Sequence, residues 1–172
     1  LFIGGGMAAT FLQSQGHSTG ASLMEEEKLE FAYRFLEQAK DANISVYLPE
    51  DVVVSQEFIA DPGEMATVPI DRVPTGWHIM DIGDKSVSRF IGGLQECKTI
   101  IWNGPMGVFE FPNFARGTEK IGKALASMDA KTVLGGGSTA EAVEEMGIMG
   151  EFTHVSTGGG ASLEFMAGKE LP

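Results

Sequence analysis

Three runs of consecutive glycine carry the chemistry most readily proposed from this chain: Gly4-Gly5-Gly6, Gly135-Gly136-Gly137 and Gly158-Gly159-Gly160. Each follows a short apolar run and precedes a helix-like period, as in Leu1–Ile3 before the first and His154–Ser156 before the last. A fourth exit of the same kind, Asn103-Gly104-Pro105, follows Thr99–Trp102. Glycine lets the backbone approach a ligand closely, and a helix N-terminus behind it presents N–H donors and the positive end of the helix dipole. That combination suits a phosphate. A tight βα turn with no ligand would explain any one of these runs. Three of them at strand ends of one sheet favour a ligand, because in open α/β sheets the loops leaving the carboxyl ends of the strands line one crevice.

The type of phosphate ligand is less sharply marked. Gly4-x-Gly6-x-x-Ala9 and Gly135-x-Gly137-x-x-Ala140 both fit a loose dinucleotide fingerprint. That fingerprint also needs an acid near the end of the next strand to hold a ribose. After the first match the acids at that distance, Glu25–Glu27, fall at a helix start. After the second, the next strand ends in Ser156-Thr157. The phosphate-loop pattern G-x-x-x-x-G-K-[ST] is missing, and no lysine lies inside a glycine run. With a net charge of −12, the chain needs Mg²⁺ or cationic groups from elsewhere to hold a polyphosphate.

Short runs rich in Val, Ile and Thr alternate with helical periods, so the elements expected to position these turns are βα units. The expected class is α/β: a mostly parallel sheet with helices on both faces, a Rossmann-like three-layer build. Val87, Phe90, Ile91 and Leu94 form an i, i+3, i+4, i+7 stripe behind a candidate Asp84 cap, and Ile121, Ala124, Leu125 and Met128 repeat it. Leu29, Ala32, Leu36 and Ala39 share one face of a longer helix, expected to open at a Ser22/Glu25 capping box and run to about Ala42. All three stripes read as core. Val52–Val54, Thr67–Pro69 and His78–Ile82 read as short strands, with a small hairpin or irregular insertion around residues 58–76, where Pro62, Pro69 and Pro74 break the pattern.

Composition removes several classes. A pI near 4.6 argues against nucleic-acid binding, which runs on Lys and Arg. No apolar run approaches the ~20 residues of a membrane span. The single cysteine, Cys97, reads as a small apolar residue in a reducing compartment, and His17, His78 and His154 lack metal-ligand spacing. Trp77 and Trp102 read as core, and the nine methionines as adaptable packing. The chain opens on Leu1-Phe2-Ile3 without an initiator Met, as expected of a strand cut from something larger.

One segment is far more specific: Trp102-Asn103-Gly104-Pro105-Met106-Gly107-Val108-Phe109-Glu110-Phe111, followed by Phe114-Ala115-Arg116-Gly117-Thr118. With Leu1–Ala8, Leu134–Gly137 and His154–Glu164, it closely resembles the phosphoglycerate kinase family, in the family's order and from the first residue to the last. The resemblance implies the nucleotide-binding C-terminal lobe of a cytoplasmic, monomeric glycolytic enzyme. That enzyme moves a phosphoryl group reversibly from 1,3-bisphosphoglycerate to ADP, giving 3-phosphoglycerate and ATP, with Mg²⁺. It implies that Gly4, Gly5, Gly6 and Leu23 lie against the adenine, and that Asn103, Gly104, Pro105 and Val108 run beside base and sugar. Glu110 accepts from the ribose hydroxyls. Gly135, Gly136, Gly137, Ser138 and Thr139 open the helix facing the phosphates, where Gly136 and Gly137 stabilise the transferring group through backbone N–H donors. Gly158 and Gly159 face a cleft between lobes.

The resemblance also implies that residues 1–172 hold most of that lobe without its first βα unit, whose lysines grip the phosphates. The N-terminal lobe, with its basic patch for phosphoglycerate, lies outside them too, so that this piece does not turn over alone. Two departures stand out. Ser138 replaces the family's usual metal-holding Asp, leaving a neutral hydroxyl as a weak Mg²⁺ ligand, and branched Ile79 stands where the family has a glycine against the adenine. Two other classes remain open on the residues: a non-catalytic module that binds a nucleotide or a partner, and an NAD-dependent oxidoreductase domain, which lacks its ribose acid at both fingerprints.

Overall fold

The computed structural model describes residues 1–170. They form two compact units, residues 1–90 with 106–117 and residues 91–105 with 118 onward.

In the first unit, helix α1 (Gly5–Ser14) and helix α2 (Leu29–Asp41) pack together over a cluster of Ile3, Ala8, Phe11, Leu12 and Ala32. Strands β1 (Asp51–Ser55), β2 (Met65–Pro69) and β3 (His78–Ile82) form an antiparallel sheet in the order β2-β1-β3. Of the small hairpin or irregular insertion expected around residues 58–76, only β2 is a strand; it pairs with β1, which lies before that range, with Val53 opposite Thr67, and forms the sheet edge. Val52 and Val54 are fully buried there, with Trp77 and Ile79 packed against them. The opening apolar run makes a single parallel bridge, Phe2 to Tyr47, in place of a full strand. Its rings compensate: Phe2 stacks on Tyr47 at 4.5 Å and meets Phe90 edge-on at 5.5 Å.

Two expected helix starts differ. Ser22 does not cap α2: its hydroxyl accepts from Ile79 N at 2.8 Å, while Glu25 N donates to the Thr10 hydroxyl at 3.1 Å. A 3₁₀ turn, Glu26–Lys28, intervenes before α2. Helix α3 (Asp84–Leu94) is capped from a distance: the Asp51 carboxylate accepts from Ser86 N at 2.8 Å and Lys85 N at 3.2 Å. The buried Ser86 hydroxyl returns the contact, donating to Asp51 and accepting from Glu50 N and Asp51 N at 2.9 and 3.0 Å.

The second unit contains the parallel sheet, in the order β4 (Thr99–Asn103), β5 (Lys131–Gly135), β6 (His154–Ser156). Helices α4 (Arg116–Ala126), α5 (Gly137–Glu145) and α6 (Gly159–Met166) complete the alternation, so the α/β class and its helix-flanked parallel sheet stand as expected. Helix α4 comes so near Trp102 and Met146 that a Cβ on Gly122 would stand 2.9 Å from the Met146 methyl. Trp102 is buried in this core, as its sequence context suggests.

Candidate functional site

The parallel register of the second unit brings the strand ends level. Asn103 lies opposite Gly135, and Gly135 opposite Ser156. Each strand therefore leaves the sheet at the same height, through Gly104, Gly136 and Thr157-Gly158 respectively. Two of these exits lead into helices, α5 and α6, and among the described residues no side chain caps either N-terminus. Hydrogen bonds tie the exits together. Gly104 N donates to the Thr139 hydroxyl at 2.7 Å, and the Asn103 side-chain amide donates to Gly159 O at 3.1 Å. Trp102 Nε1 donates to Gly104 O at 2.7 Å, fixing the same turn from the core side.

Glycine is required here for two distinct reasons. Gly136 has φ 98° and ψ 143°, a region open in practice only to glycine. Gly159 approaches it so closely that a Cβ on Gly159 would stand 2.8 Å from Gly136 Cα. The two helix starts are thus neighbours, and both face outward through backbone. Gly136 N donates to Ser156 O at 2.9 Å, so this donor is engaged in extending the β5–β6 ladder. Gly137 and Ser138 follow it as the first exposed residues of α5, while Thr139 is fully buried with its hydroxyl held by Gly104. Ser156-Thr157, at the end of β6, occupies the place where a dinucleotide-binding domain would carry its ribose acid.

In the first unit a second group assembles. Gly5 N donates to Met106 O at 3.0 Å, and the Met106 sulfur lies 2.6 Å from where a Cβ on Gly4 would be. Val108 N donates to Met80 O at 2.8 Å, which docks the Met106–Phe111 loop on β3. Glu110 is exposed on that loop between buried Phe109 and partly buried Phe111. Leu23 projects into solvent, 86% exposed, from a turn held just ahead of β3 by Ala21 N donating to Trp77 O at 2.7 Å. Gly6 is exposed at the start of α1, whose N-terminus also lacks a side-chain cap among the described residues. The branched side chain of Ile79 is taken up by packing against Val52 and Val54.

The residues do not make a metal cage. Among the described residues no three His, Cys, Asp or Glu side chains gather to hold an ion. Mg²⁺ is commonly bound through one or two carboxylates together with substrate phosphates. Ser138, exposed at the start of α5, offers one neutral oxygen in their place.

A buried carboxylate that sequence reasoning passes over organises the first unit. Asp81, 2% exposed, accepts from Ile82 N at 2.8 Å and from Gly117 N at 2.7 Å. Gly107 and Gly117 both press on it: a Cβ at either position would stand 2.4 or 2.3 Å from Asp81 Oδ1. An acid in an apolar strand, with glycines on either side of the Glu110 loop, was the available signal.

Strand ends level with one another, opening through glycine onto uncapped helix starts, define an α/β domain of the kind that presents backbone donors to an anion. Comparison with known proteins makes the assignment specific. A family model described as phosphoglycerate kinase matches residues 1–169, and the chain belongs to that family. It is 50% identical to the phosphoglycerate kinase of Pelotomaculum thermopropionicum, over all of this chain and 44% of that one. It is 48% identical to the cytosolic phosphoglycerate kinase of Nicotiana tabacum, over all of this chain and 43% of that one. The phosphoglycerate kinase structure from Coxiella burnetii superposes with a TM-score of 0.94 and 40% identity, covering 98% of this chain and 44% of the other. The chain thus spans less than half the length of the relatives it matches. No helix among the described residues is long and apolar enough to cross a membrane.

Proposed function

We propose that this chain is the nucleotide-binding portion of a phosphoglycerate kinase. It holds ADP or ATP while the remainder of the enzyme presents 1,3-bisphosphoglycerate or 3-phosphoglycerate, and one phosphoryl group passes reversibly between them. The observation that carries this reading is the trio of level strand ends, with Gly137 and Gly159 opening adjacent helices. Family membership supports the substrates.

From the second unit, the N–H groups of Gly137 and Ser138 at the start of α5 would meet phosphate oxygens, strengthened by the helix dipole. Gly136 contributes the turn that aims them. Its own N–H is held by Ser156 O at 2.9 Å. Asn103, Gly104 and Thr139 fasten the β4 exit to α5 and α6, and Gly135, Gly158 and Gly159 keep the backbone bare of side chains. Pro105 stiffens the turn beside them. From the first unit, Gly4, Gly5, Gly6, Leu23 and Val108 would supply apolar surface and backbone for a base, and the exposed carboxylate of Glu110 would accept from ribose hydroxyls. Mg²⁺ would come with the nucleotide, screening its phosphates, with the Ser138 hydroxyl as a weak extra ligand. Phosphoryl transfer depends chiefly on positioning and on electrostatic stabilisation, which is what fixed backbone donors provide.

Calorimetric titration of the chain with ADP, with NAD as control, tests the reading. Binding of ADP alone is expected. Binding of NAD with equal strength would favour a dinucleotide domain instead.

A further inference from the structure

We infer that Asp81 is a positioning residue: its carboxylate clamps both ends of the loop that carries Glu110 and so sets where that side chain stands. The inference deepens the proposed nucleotide function and rests on it for Glu110's role. Glu110 lies between Gly107 and Gly117, and both glycines bear on the same buried carboxylate. At the far end, Gly117 N donates to Asp81 Oδ2 at 2.7 Å. At the near end, Gly107 sits so close that a Cβ would meet Asp81 Oδ1 at 2.4 Å and Met80 O at 2.7 Å. The next residue, Val108, donates its N–H to Met80 O at 2.8 Å. Asp81 Oδ1 also accepts from Ile82 N at 2.8 Å, which locks the carboxylate's orientation on β3. Inside the loop, Phe111 N donates to Val108 O at 3.0 Å and Phe114 N to Phe111 O at 2.7 Å, so the segment is a chain of short turns with little slack.

A carboxylate suits this position because both of its oxygens accept hydrogen bonds, and here Oδ1 takes the Ile82 N–H and Oδ2 the Gly117 N–H. An amide of the same shape has one acceptor and would turn an N–H₂ group toward the other donor. Asp81→Asn therefore removes one anchor without creating a cavity. The glycines at 107 and 117 are explained by the same contact, since any side chain there would displace the carboxylate.

The test uses the whole chain and two readouts. By amide hydrogen exchange, Asp81→Asn should speed exchange at Val108, Phe111 and Gly117 by roughly tenfold. Protection on the central strand, at Val52 and Val54, should stay unchanged. Unchanged exchange at all three loop amides overturns the inference. Gly107→Ala disturbs the clamp from the loop side and should give the same local signature. It decides the matter if Asp81→Asn loosens the whole chain, and a second uniform loosening would mean a purely structural role.

The second readout is the ratio of affinities for ADP and 2′,3′-dideoxy-ADP. If Glu110 grips the ribose, the parent chain prefers ADP roughly tenfold. Asp81→Asn should then bring the ratio toward one while leaving the dideoxy affinity in place. An equal loss for both nucleotides, or an unchanged ratio, would overturn the clamp. A parent ratio of one would instead remove Glu110 from the ribose, and the exchange data alone would then decide Asp81's hold on the loop.

Discussion

Replacing Gly159 by alanine places a single methyl group where two helix starts meet, and its cost follows from the distances. The added Cβ would stand 2.8 Å from Gly136 Cα and 3.2 Å from Gly136 N. Carbon–carbon contacts settle at about 3.5–4.0 Å, so one backbone must retreat by ~1 Å. Gly136 resists because its φ of 98° is fixed by the turn and its N–H is bonded to Ser156 O. Overpacking of this kind costs about 1–3 kcal/mol. Alanine for glycine in a helix returns at most ~1 kcal/mol, and Gly160→Ala one residue later takes that gain alone, with nothing within 4 Å of its Cβ among the described residues. The difference between the two variants isolates the clash. With a urea slope of about 1–2 kcal/mol per molar for a unit of this size, their midpoints should lie about 1 M apart. Urea unfolding followed by fluorescence in a Trp77→Phe background reports the second unit through buried Trp102. Midpoints within about 0.2 M of each other would refute the close approach of the two helix starts.

Further variants probe other parts of the account. Glu110→Ala should weaken ADP binding by about 1–2 kcal/mol with no loss of fold, since the side chain is exposed; calorimetry showing equal affinity would remove it from the ribose. Ser138→Asp should widen the gap between ADP titrations with and without Mg²⁺, and an unchanged gap would contradict the placement of this residue near the phosphates. Ser86→Ala should cost about 1–3 kcal/mol in chemical denaturation, because Glu50 N and Asp51 N lose their buried acceptor. By contrast Arg34→Ala, which breaks an exposed pair with Glu30 on α2, should change stability by less than about 0.5 kcal/mol in the same assay.

Local patterns in the sequence carried much of this architecture. The stripe of Val87, Phe90 and Leu94 is buried on α3, and that of Ile121 and Leu125 on α4. The glycine runs stand at the starts of helices α1, α5 and α6, the last two where strands β5 and β6 end and the first after the single Phe2–Tyr47 bridge. What escaped local reading was decided by partners far along the chain. Ser22 and Glu25 have the spacing of a capping box, yet a strand amide 57 residues away claims the Ser22 hydroxyl. Asp84 looks like a cap, but Asp51 reaches α3 from 35 residues back. The antiparallel order β2-β1-β3 depends on pairings that no periodicity specifies. Asp81 was passed over for the same reason: an acid in an apolar strand is a faint signal, and its role emerges only when Gly107 and Gly117 are brought to it. The site residues were legible through resemblance, whereas their ties to one another, such as Asn103 to Gly159, were not.

The most direct measurement is an NMR titration of the isotope-labelled chain with ADP. Amides at the carboxyl ends of the parallel strands, those of Gly104, Gly137 and Gly159, are expected to shift progressively and saturate. Those before the same strands, at Lys98 and Ala130, should stay still. Shifts confined to the latter end, or none at either, would contradict nucleotide binding at the glycine-led helix starts.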